Sequence, residues 1–376
     1  MPRPLLRAGM VVAATALVGT MVTGGTASAV QAAPPISTGA VFNDPLGSSD
    51  AQNTVKNHII GAINNTQSGR LIRAALYALN DQDYTNALKS AHARGVMVRV
   101  VLDAKYADSA AARSLVAELG TDRTATSWVR VCTAGGACIS TGHSSMINHN
   151  KFFTFSRIGS AGEAEDVVIQ TSANQTSLNT AKYWNNAYTV VGNTDLYTAY
   201  VGYFNDLAAM KKNANYFTSG KVGTEKYYFF PQSTGDIVVG LLDNVSCAAR
   251  SKVSVAAFAL HRDEVADKLS SMAAQGCVIR IVYAESNDAA KLAGRQNIDI
   301  RRLNTADGHL VHSKYFLVEG TYAGHADTKW TFTGSHNLDY ASLRRNDEAL
   351  LRLEGAAPYD AYSQNFTNLL NAATRD

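Results

Sequence analysis

Proline is scarce, at 7 of 376 residues, and glycine numbers 28, so collagen-like and Pro/Gly low-complexity chains are excluded. Charge is sparse as well. Charged residues make up 17%, with 34 Lys+Arg against 31 Asp+Glu and a formal net charge of +3. That balance excludes a protein that coats nucleic acid through bulk positive charge, but not one with a local basic pocket. Beyond the N-terminus there is no run of 18 apolar residues, so no membrane-spanning helix is expected. Cysteines number four, none in CxxC spacing, which argues against a cysteine-based zinc site. What is present is apolar material, 46% of the chain, ample for a core. The length suits two domains or one large one.

The first residues read as a leader. Arg3 and Arg7 form a short basic region, and Gly9 to Thr23 is uncharged and mostly apolar. Ala27-Ser28-Ala29 then offers a small-x-small cleavage site, with Ala32-Ala33 as a second. Residues 1–29 are expected to be a secretory signal peptide, with a retained anchor as the other reading. Cleavage after Ala29 leaves 376 − 29 = 347 residues and, with Arg3 and Arg7 gone, a net charge of +1. Export permits disulfides. The expected pairs are Cys132–Cys138 and Cys247–Cys277, one of three pairings that four cysteines allow. Buried free thiols are the alternative.

The chain repeats itself. Residues 75–79 (ALYAL) resemble 256–260 (AAFAL), and 95–99 (GVMVR) resemble 276–280 (GCVIR), both at an offset of 181. His149-Asn150-Lys151-Phe152-Phe153 resembles His312-Ser313-Lys314-Tyr315-Phe316, and Ser172-Ala173-Asn174 resembles Ser335-His336-Asn337, both at an offset of 163. The first half therefore carries 18 extra residues between Gly95 and His149, expected as a surface insertion around Cys132–Cys138.

Both halves read as strands alternating with helices. Strands are expected at 71–79, 96–102, 151–155, 167–171 and 187–191, and again at 252–260, 278–283, 314–318, 330–333 and 349–353. Helices are expected at 83–94 and 263–275, each with a Gly near its end, and at 196–207 and 359–370. The fold class is α/β. Two similar layered domains are expected, at 40–210 and 227–376, joined by a polar, loop-like junction from Lys211 to Lys226.

Two of the nine histidines begin His-x-Lys. On a strand, positions i and i+2 share a face, so each His and its Lys aim at one spot. Each His is followed 25 residues later by the Asn of a Ser-x-Asn. An imidazole, an ammonium and a carboxamide together suit an oxyanion, with phosphate the best fit. Two such half-sites give His149, Lys151, Asn174, His312, Lys314 and Asn337 around one phosphorus. One imidazole can attack while the other protonates the leaving oxygen. The lysines and asparagines stabilise the equatorial oxygens. Ser172 and Ser335 are candidate substrate-binding residues. No metal or cofactor is called for. His309 and His312 are three apart, but Gly308 and the strand setting argue against a metal pair.

These residues resemble the phospholipase D superfamily, whose members carry paired HxKxxxxD motifs followed by G-S-x-N. The resemblance spans nearly all of the mature chain. The segment from Gly334 to Tyr340, with Asn346-Asp347-Glu348, is similar to the cardiolipin-synthase and bacterial phospholipase D-like branch. It implies two halves packed about a pseudo-twofold axis with the site between them, and a phosphohistidine resolved by water or an alcohol. It also implies His149 as nucleophile, His312 as general acid and Glu348 as the acid that orients one histidine. The motif's Asp is replaced by Ser156 and Glu319, Thr171 stands opposite Gly334, and the counterpart of Glu348 is neutral, among Asn185, Asn186 and Ala187.

The leading expectation is a secreted, monomeric phosphodiesterase acting on phospholipid head groups, with transient membrane-surface contact. A nuclease of the same superfamily is less favoured by the charge balance. A catalytically inactive binding protein is the third reading.

Overall fold

The computed structural model describes residues 1–2, 36–159 and 164–375. The expected leader and its cleavage site lie almost wholly outside the described residues. Pro35–Asp376 forms one compact unit. In chain order its first half holds β1 (Gly39–Phe42), α1 (Ser49–Asn64), β2 (Leu71–Leu76), α2 (Gln82–Ala93), β3 (Met97–Leu102), α3 (Ala110–Leu119), β4 (Trp128–Val131), β5 (Lys151–Ile158), β6 (Ala164–Thr171), α4 (Ser177–Lys182), β7 (Tyr183–Trp184), β8 (Asn186–Val190) and α5 (Thr194–Ala209). The second half holds β9 (Thr218–Val222), β10 (Glu225–Phe229), α6 (Ile237–Asp243), β11 (Val245–Ser246), β12 (Lys252–Leu260), α7 (Asp263–Ala274), β13 (Val278–Ser286), α8 (Ala289–Leu292), β14 (Ile298–Arg302), β15 (Leu310–Val311), β16 (Lys314–Tyr322), β17 (His325–Gly334), α9 (Tyr340–Arg344), β18 (Ala349–Glu354), α10 (Ala356–Ala372) and β19 (Thr374–Arg375).

Each half builds its own sheet. The first runs β1-β8-β6-β5-β2-β3-β4, and the second contains β14-β13-β12-β16-β17-β18-β10 in the reverse sense of listing. In both, two neighbouring strand pairs are parallel (β2–β3–β4; β12–β13–β14) and the rest of this shared set is antiparallel. The duplication read from the sequence is thus a duplicated α/β fold.

The strands are apolar on both faces because both faces are covered. Along β2, Ile72, Ala74 and Leu76 join a core with α1, α2 and α3, while Ala75 faces a central core. Along β12, Val253, Val255 and Ala257 join a core with α6 and α7, while Ala256 faces the same central core. That central layer is filled by α5 and α10, through Tyr200, Tyr203, Phe204, Tyr362 and Phe366. The period of two along each strand therefore sorts side chains between an outer core and the seam between halves.

Two expectations are corrected. The junction expected as loop from Lys211 to Lys226 contains β9 and leads into β10, an antiparallel hairpin that extends the second sheet through β18. Its exposed, polar residues are those of an edge strand, which lacks apolar alternation. The 18 extra residues are also not one insertion. Val101 pairs with Arg130, 29 residues on, whereas Val282 pairs with Arg301, 19 on. Ten of the extra residues thus lengthen the β3–β4 connection, which includes α3, and the remaining eight lie between Arg130 and His149. Nor is that segment simply surface. Cys132, Ala137, Cys138, Ile139 and Ser140 are buried, and exposure is confined to its two tips around Ala134 and His143.

Both expected disulfides are present, Cys132–Cys138 and Cys247–Cys277, a pattern compatible with an extracellular protein. Among the described residues no helix is long and apolar enough to cross a membrane.

Candidate active site

Both His-x-Lys motifs sit where a chain segment enters the middle strand of its sheet. Lys151 opens β5 and Lys314 opens β16. The main-chain N–H of His149 donates to the Asp347 carbonyl at 2.9 Å, and that of His312 donates to the Trp184 carbonyl at 2.9 Å. Each histidine is thereby docked on the opposite half, two residues before the start of β18 or β8. Asn148 bridges Asp347 in parallel fashion, as Leu310–Val311 pairs with Tyr183–Trp184. The halves exchange equivalent contacts, as a pseudo-twofold requires.

The same exchange orients the imidazoles. His149 Nδ1 lies 2.8 Å from Glu348 Oε1, and His312 Nδ1 lies 2.9 Å from Asn185 Oδ1. Asn185 follows Asn174 by 11 residues, as Glu348 follows Asn337, so it is the neutral counterpart among the three candidates. The Asn185 amide donates to the carbonyls of Asn179 and Tyr183, which turns its oxygen toward His312. Both partners accept at Nδ1. Each ring therefore carries its proton on Nδ1 and leaves Nε2 for chemistry.

Ser335 Oγ donates to Glu348 Oε2 at 2.5 Å, and Ser342 Oγ donates to Oε1 at 2.7 Å. In the first half Ser172 Oγ donates to Asn185 Oδ1 at 3.0 Å. The two serines of the Ser-x-Asn motifs thus hold the groups that hold the histidines, and their hydroxyls are committed there rather than offered to a substrate. Asn174 and Asn337 differ. Their main-chain N–H groups are bonded to Asn179 and Ser342, but each leaves a buried Oδ1 with no partner. A free carboxamide oxygen at each place can accept a hydrogen bond from a polar ligand.

The lysines are buried, Lys151 fully so. Lys151 Nζ donates to the His149 carbonyl at 2.7 Å and lies 5.1 Å from the Tyr77 ring. Lys314 Nζ donates to the His312 carbonyl at 2.5 Å and lies 5.2 Å from the Phe258 ring. Tyr77 and Phe258 also contact the histidines, at 5.0 Å in each case. They are equivalent positions of the first repeat, at its offset of 181, and each supplies an electron-rich face to a desolvated cation.

Burial dominates the electrostatics. It pushes Lys151 down to about 7, against the pull of Glu348 and Asp103. Lys314 is held well below its ordinary value by burial and then by Lys151. Burial pushes Glu348 up to about 7, opposed by Lys151 and the two serine hydroxyls. Both imidazoles are held well below their ordinary value, first by burial and then by the lysines of both halves. The lysine of each half acts on the histidine of the other, so the two histidines and two lysines lie together between the halves. This is a cluster of groups whose charged forms await a counter-ion, and an anion with several oxygens fits it.

The positions of the missing motif aspartates lie outside this cluster. Ser156 Oγ accepts from the Leu71 N–H at 3.0 Å, and Glu319 pairs with Lys252 at 3.0 Å and with the Tyr359 hydroxyl at 3.1 Å. Asp103 is closer to the chemistry than a turn-forming residue need be. It caps the turn at Lys105 and also accepts from the Asn148 N–H at 2.7 Å, just before His149. His309 packs edge-on against Trp184, and among the described residues no group of three or more His, Cys, Asp or Glu converges as a metal site.

The family described as "Cardiolipin synthase, PLD-like domain" matches residues 59–208 and 245–370, one segment in each half. Among solved structures, phosphatidylserine synthase from Haemophilus influenzae Rd KW20 is similar with a TM-score of 0.61 at 13% identity, over 91% of this chain and 89% of that one. Polyphosphate kinase from Porphyromonas gingivalis is similar with a TM-score of 0.58 at 15% identity, over 88% of this chain. The chain spans about half of that kinase, 49% of its length. At such identities the likeness is one of fold. No curated protein matches the chain. Each matched segment brings one His-x-Lys and one Ser-x-Asn to the shared site, and the chain belongs to this phospholipase D-like family of phosphodiester-acting proteins.

Proposed function

We propose that the chain is an exported phosphodiesterase of phospholipase D type, cleaving head-group phosphodiesters of phospholipids with transfer to water or an alcohol. The observation that carries this reading is the pair of imidazoles fixed at Nδ1 by Glu348 and Asn185, with two buried lysines beside them. His149, the one held by a carboxylate, is the nucleophile. Its Nε2 attacks phosphorus as the ester P–O bond breaks, and protonated His312 gives its proton to the departing alkoxide. Neutral His312 then takes a proton from water or an alcohol, whose oxygen attacks phosphorus and breaks the N–P bond. Lys151, Lys314, Asn174 and Asn337 hold the non-bridging oxygens. The phosphate itself restores the lysines and His312 toward their charged forms, because it brings negative charge beside them.

The lipid substrate is favoured by the near-neutral balance of the mature chain and by the family description. Both half-sites lie in one chain, so a monomer suffices, meeting a membrane surface only transiently. The test is purified mature protein with phosphatidylcholine, bis-p-nitrophenyl phosphate and plasmid DNA, each with EDTA and a His149→Ala control. Head-group release that survives EDTA and is lost in His149→Ala supports the proposal. DNA nicking without lipid turnover would make it a nuclease. A folded protein silent on all three would make it a binding protein.

A further inference from the structure

Asp347 is fully buried and precedes Glu348. Its carboxylate accepts three main-chain N–H groups: from Cys138 at 2.7 Å and Ile139 at 3.0 Å on Oδ2, and from Ser140 at 2.8 Å on Oδ1. Its own N–H donates to the Ile147 carbonyl at 3.0 Å, and its carbonyl accepts from the His149 N–H. One residue of the second half thus grips both ends of the segment that delivers His149. Burial pushes this carboxyl up to about 7, and the three converging N–H groups oppose that rise by favouring its ionised form.

The other half solves the same problem differently. Trp184, the equivalent of Asp347, also takes its histidine's N–H on its carbonyl, but its indole packs in the central core. The approach to His312 is short, and Leu310–Val311 is held as a strand beside Tyr183–Trp184. The approach to His149 is eight residues longer and is closed by Cys132–Cys138. Cys132 is tied to the end of β3 through its N–H on the Leu102 carbonyl, at 2.9 Å. The disulfide therefore fixes Cys138, the first of the three donors, against the first sheet. Lys212 closes the outer side, donating to the Ala137 carbonyl at 2.5 Å.

We propose that Asp347 is a positioning residue: by holding the disulfide-closed loop through three N–H groups, it sets the hydrogen bond between Glu348 and His149. The inference rests on His149 being a working residue of the proposed reaction, but the coupling can be read without turnover. The measurement is the Nδ1 proton signal of His149 in the full mature chain labelled with ¹⁵N-histidine, identified by its loss in His149→Asn. The His312 signal, identified in the same way, is the internal control.

Asp347→Asn keeps the size of the side chain but loses the charge and turns an amide toward the donors. It is expected to move the His149 signal and speed its exchange with solvent while leaving His312 in place. Cys132→Ser/Cys138→Ser is expected to do the same more weakly, and serves if Asp347→Asn does not fold. Cys247→Ser/Cys277→Ser is expected to lower Tm without moving either signal. On bis-p-nitrophenyl phosphate, Asp347→Asn is expected to reduce kcat by about ten- to a hundredfold with KM little changed, the scale of a small misplacement of a reacting group. A folded Asp347→Asn with wild-type His149 signal and kcat would overturn the inference, as would equal movement of both histidine signals, the mark of general loosening. A wild type without turnover sinks the hydrolytic reading, and the two histidine signals still decide the coupling.

Discussion

Glu348 Oε1 lies 2.8 Å from His149 Nδ1, and the two residues come from opposite halves of the chain. The symmetry-related contact joins Asn185 to His312. One histidine therefore rests on a carboxylate and the other on an amide. The difference is built into the surroundings. Glu348 receives hydrogen bonds from His149, Ser335 and Ser342, all donors, whereas Asn185 must accept from His312 and Ser172 and also donate to two carbonyls. Only an amide meets both demands.

Glu348→Gln tests the carboxylate. The Glu348 carboxyl is pushed up to about 7, so its ionised form grows as pH rises through that value. Activity that needs the carboxylate rises with it. In Glu348→Gln this rise is expected to vanish, with kcat lower by about 10²- to 10⁴-fold, as for other carboxylates that orient a catalytic imidazole. The measurement is kcat against pH from 5 to 9, and a wild-type profile in the variant would reject the role.

Asn185→Asp tests the amide. A carboxylate there faces the carbonyls of Asn179 and Tyr183, and the two lost donors make the exchange unfavourable by about 1–3 kcal/mol. At the same time the negative charge on Nδ1 of His312 raises that ring's pKa. The variant is expected to melt lower than wild type while its His312 resonance titrates at higher pH. A higher Tm, or a His312 titration unmoved, would contradict the account.

How far the sequence disclosed this site depends on which signals run along the chain. The repeat offset of 163 exposed His149, Lys151 and Asn174 with their three partners, because chemistry was duplicated with spacing intact. The 11-residue step from Asn337 to Glu348 also reaches Asn185 from Asn174, so that assignment was within reach. Which histidine each one serves was not, since the contacts cross between halves. What Asp347 and Asp103 hold leaves no mark along the chain. Their carboxylates meet main-chain N–H groups, which any sequence can supply. Helix α1 escaped because its core face, Val55, Ile59, Ala62 and Ile63, is interspersed with Asn, Gln and Thr and gives a weak pattern.

Lys151→Met separates function from stability. Burial lowers the Lys151 pKa from 10.5 to about 7, so between those values the unfolded chain binds the proton that the folded chain releases. Stability from this group therefore rises with pH from about 7 to 10.5, and the penalty is full below 7. Met fills similar space without charge. The variant is expected to be inactive, and its stability relative to wild type is expected to be most favourable at low pH, where it escapes the penalty on a charged buried lysine, and to become less favourable toward pH 10. Denaturant melts at pH 6, 8 and 10 check this trend, and a stability difference between variant and wild type that stays constant from pH 6 to 10 would refute it.

Gly334→Ala tests how closely β17 must approach β18. A Cβ at Gly334 would stand 2.2 Å from the Ala349 carbonyl oxygen and 3.0 Å from Leu350 Cα, both main-chain atoms that cannot turn aside. In the first half Thr171 occupies the equivalent place, with its hydroxyl donating to the Asn186 carbonyl at 2.7 Å. There the strands accommodate a side chain, whereas beside Glu348 they do not. The methyl must push Ala349 outward, and Glu348 is the next residue along. Overpacking of this kind is unfavourable by about 1–3 kcal/mol. Activity should fall further than that loss of stability explains, because the displaced residue adjoins the one that orients His149. The check is kcat measured well below the variant's Tm, where the protein is fully folded. Wild-type kcat there would mean that Glu348 tolerates the shift and that the narrow approach at Gly334 serves packing alone.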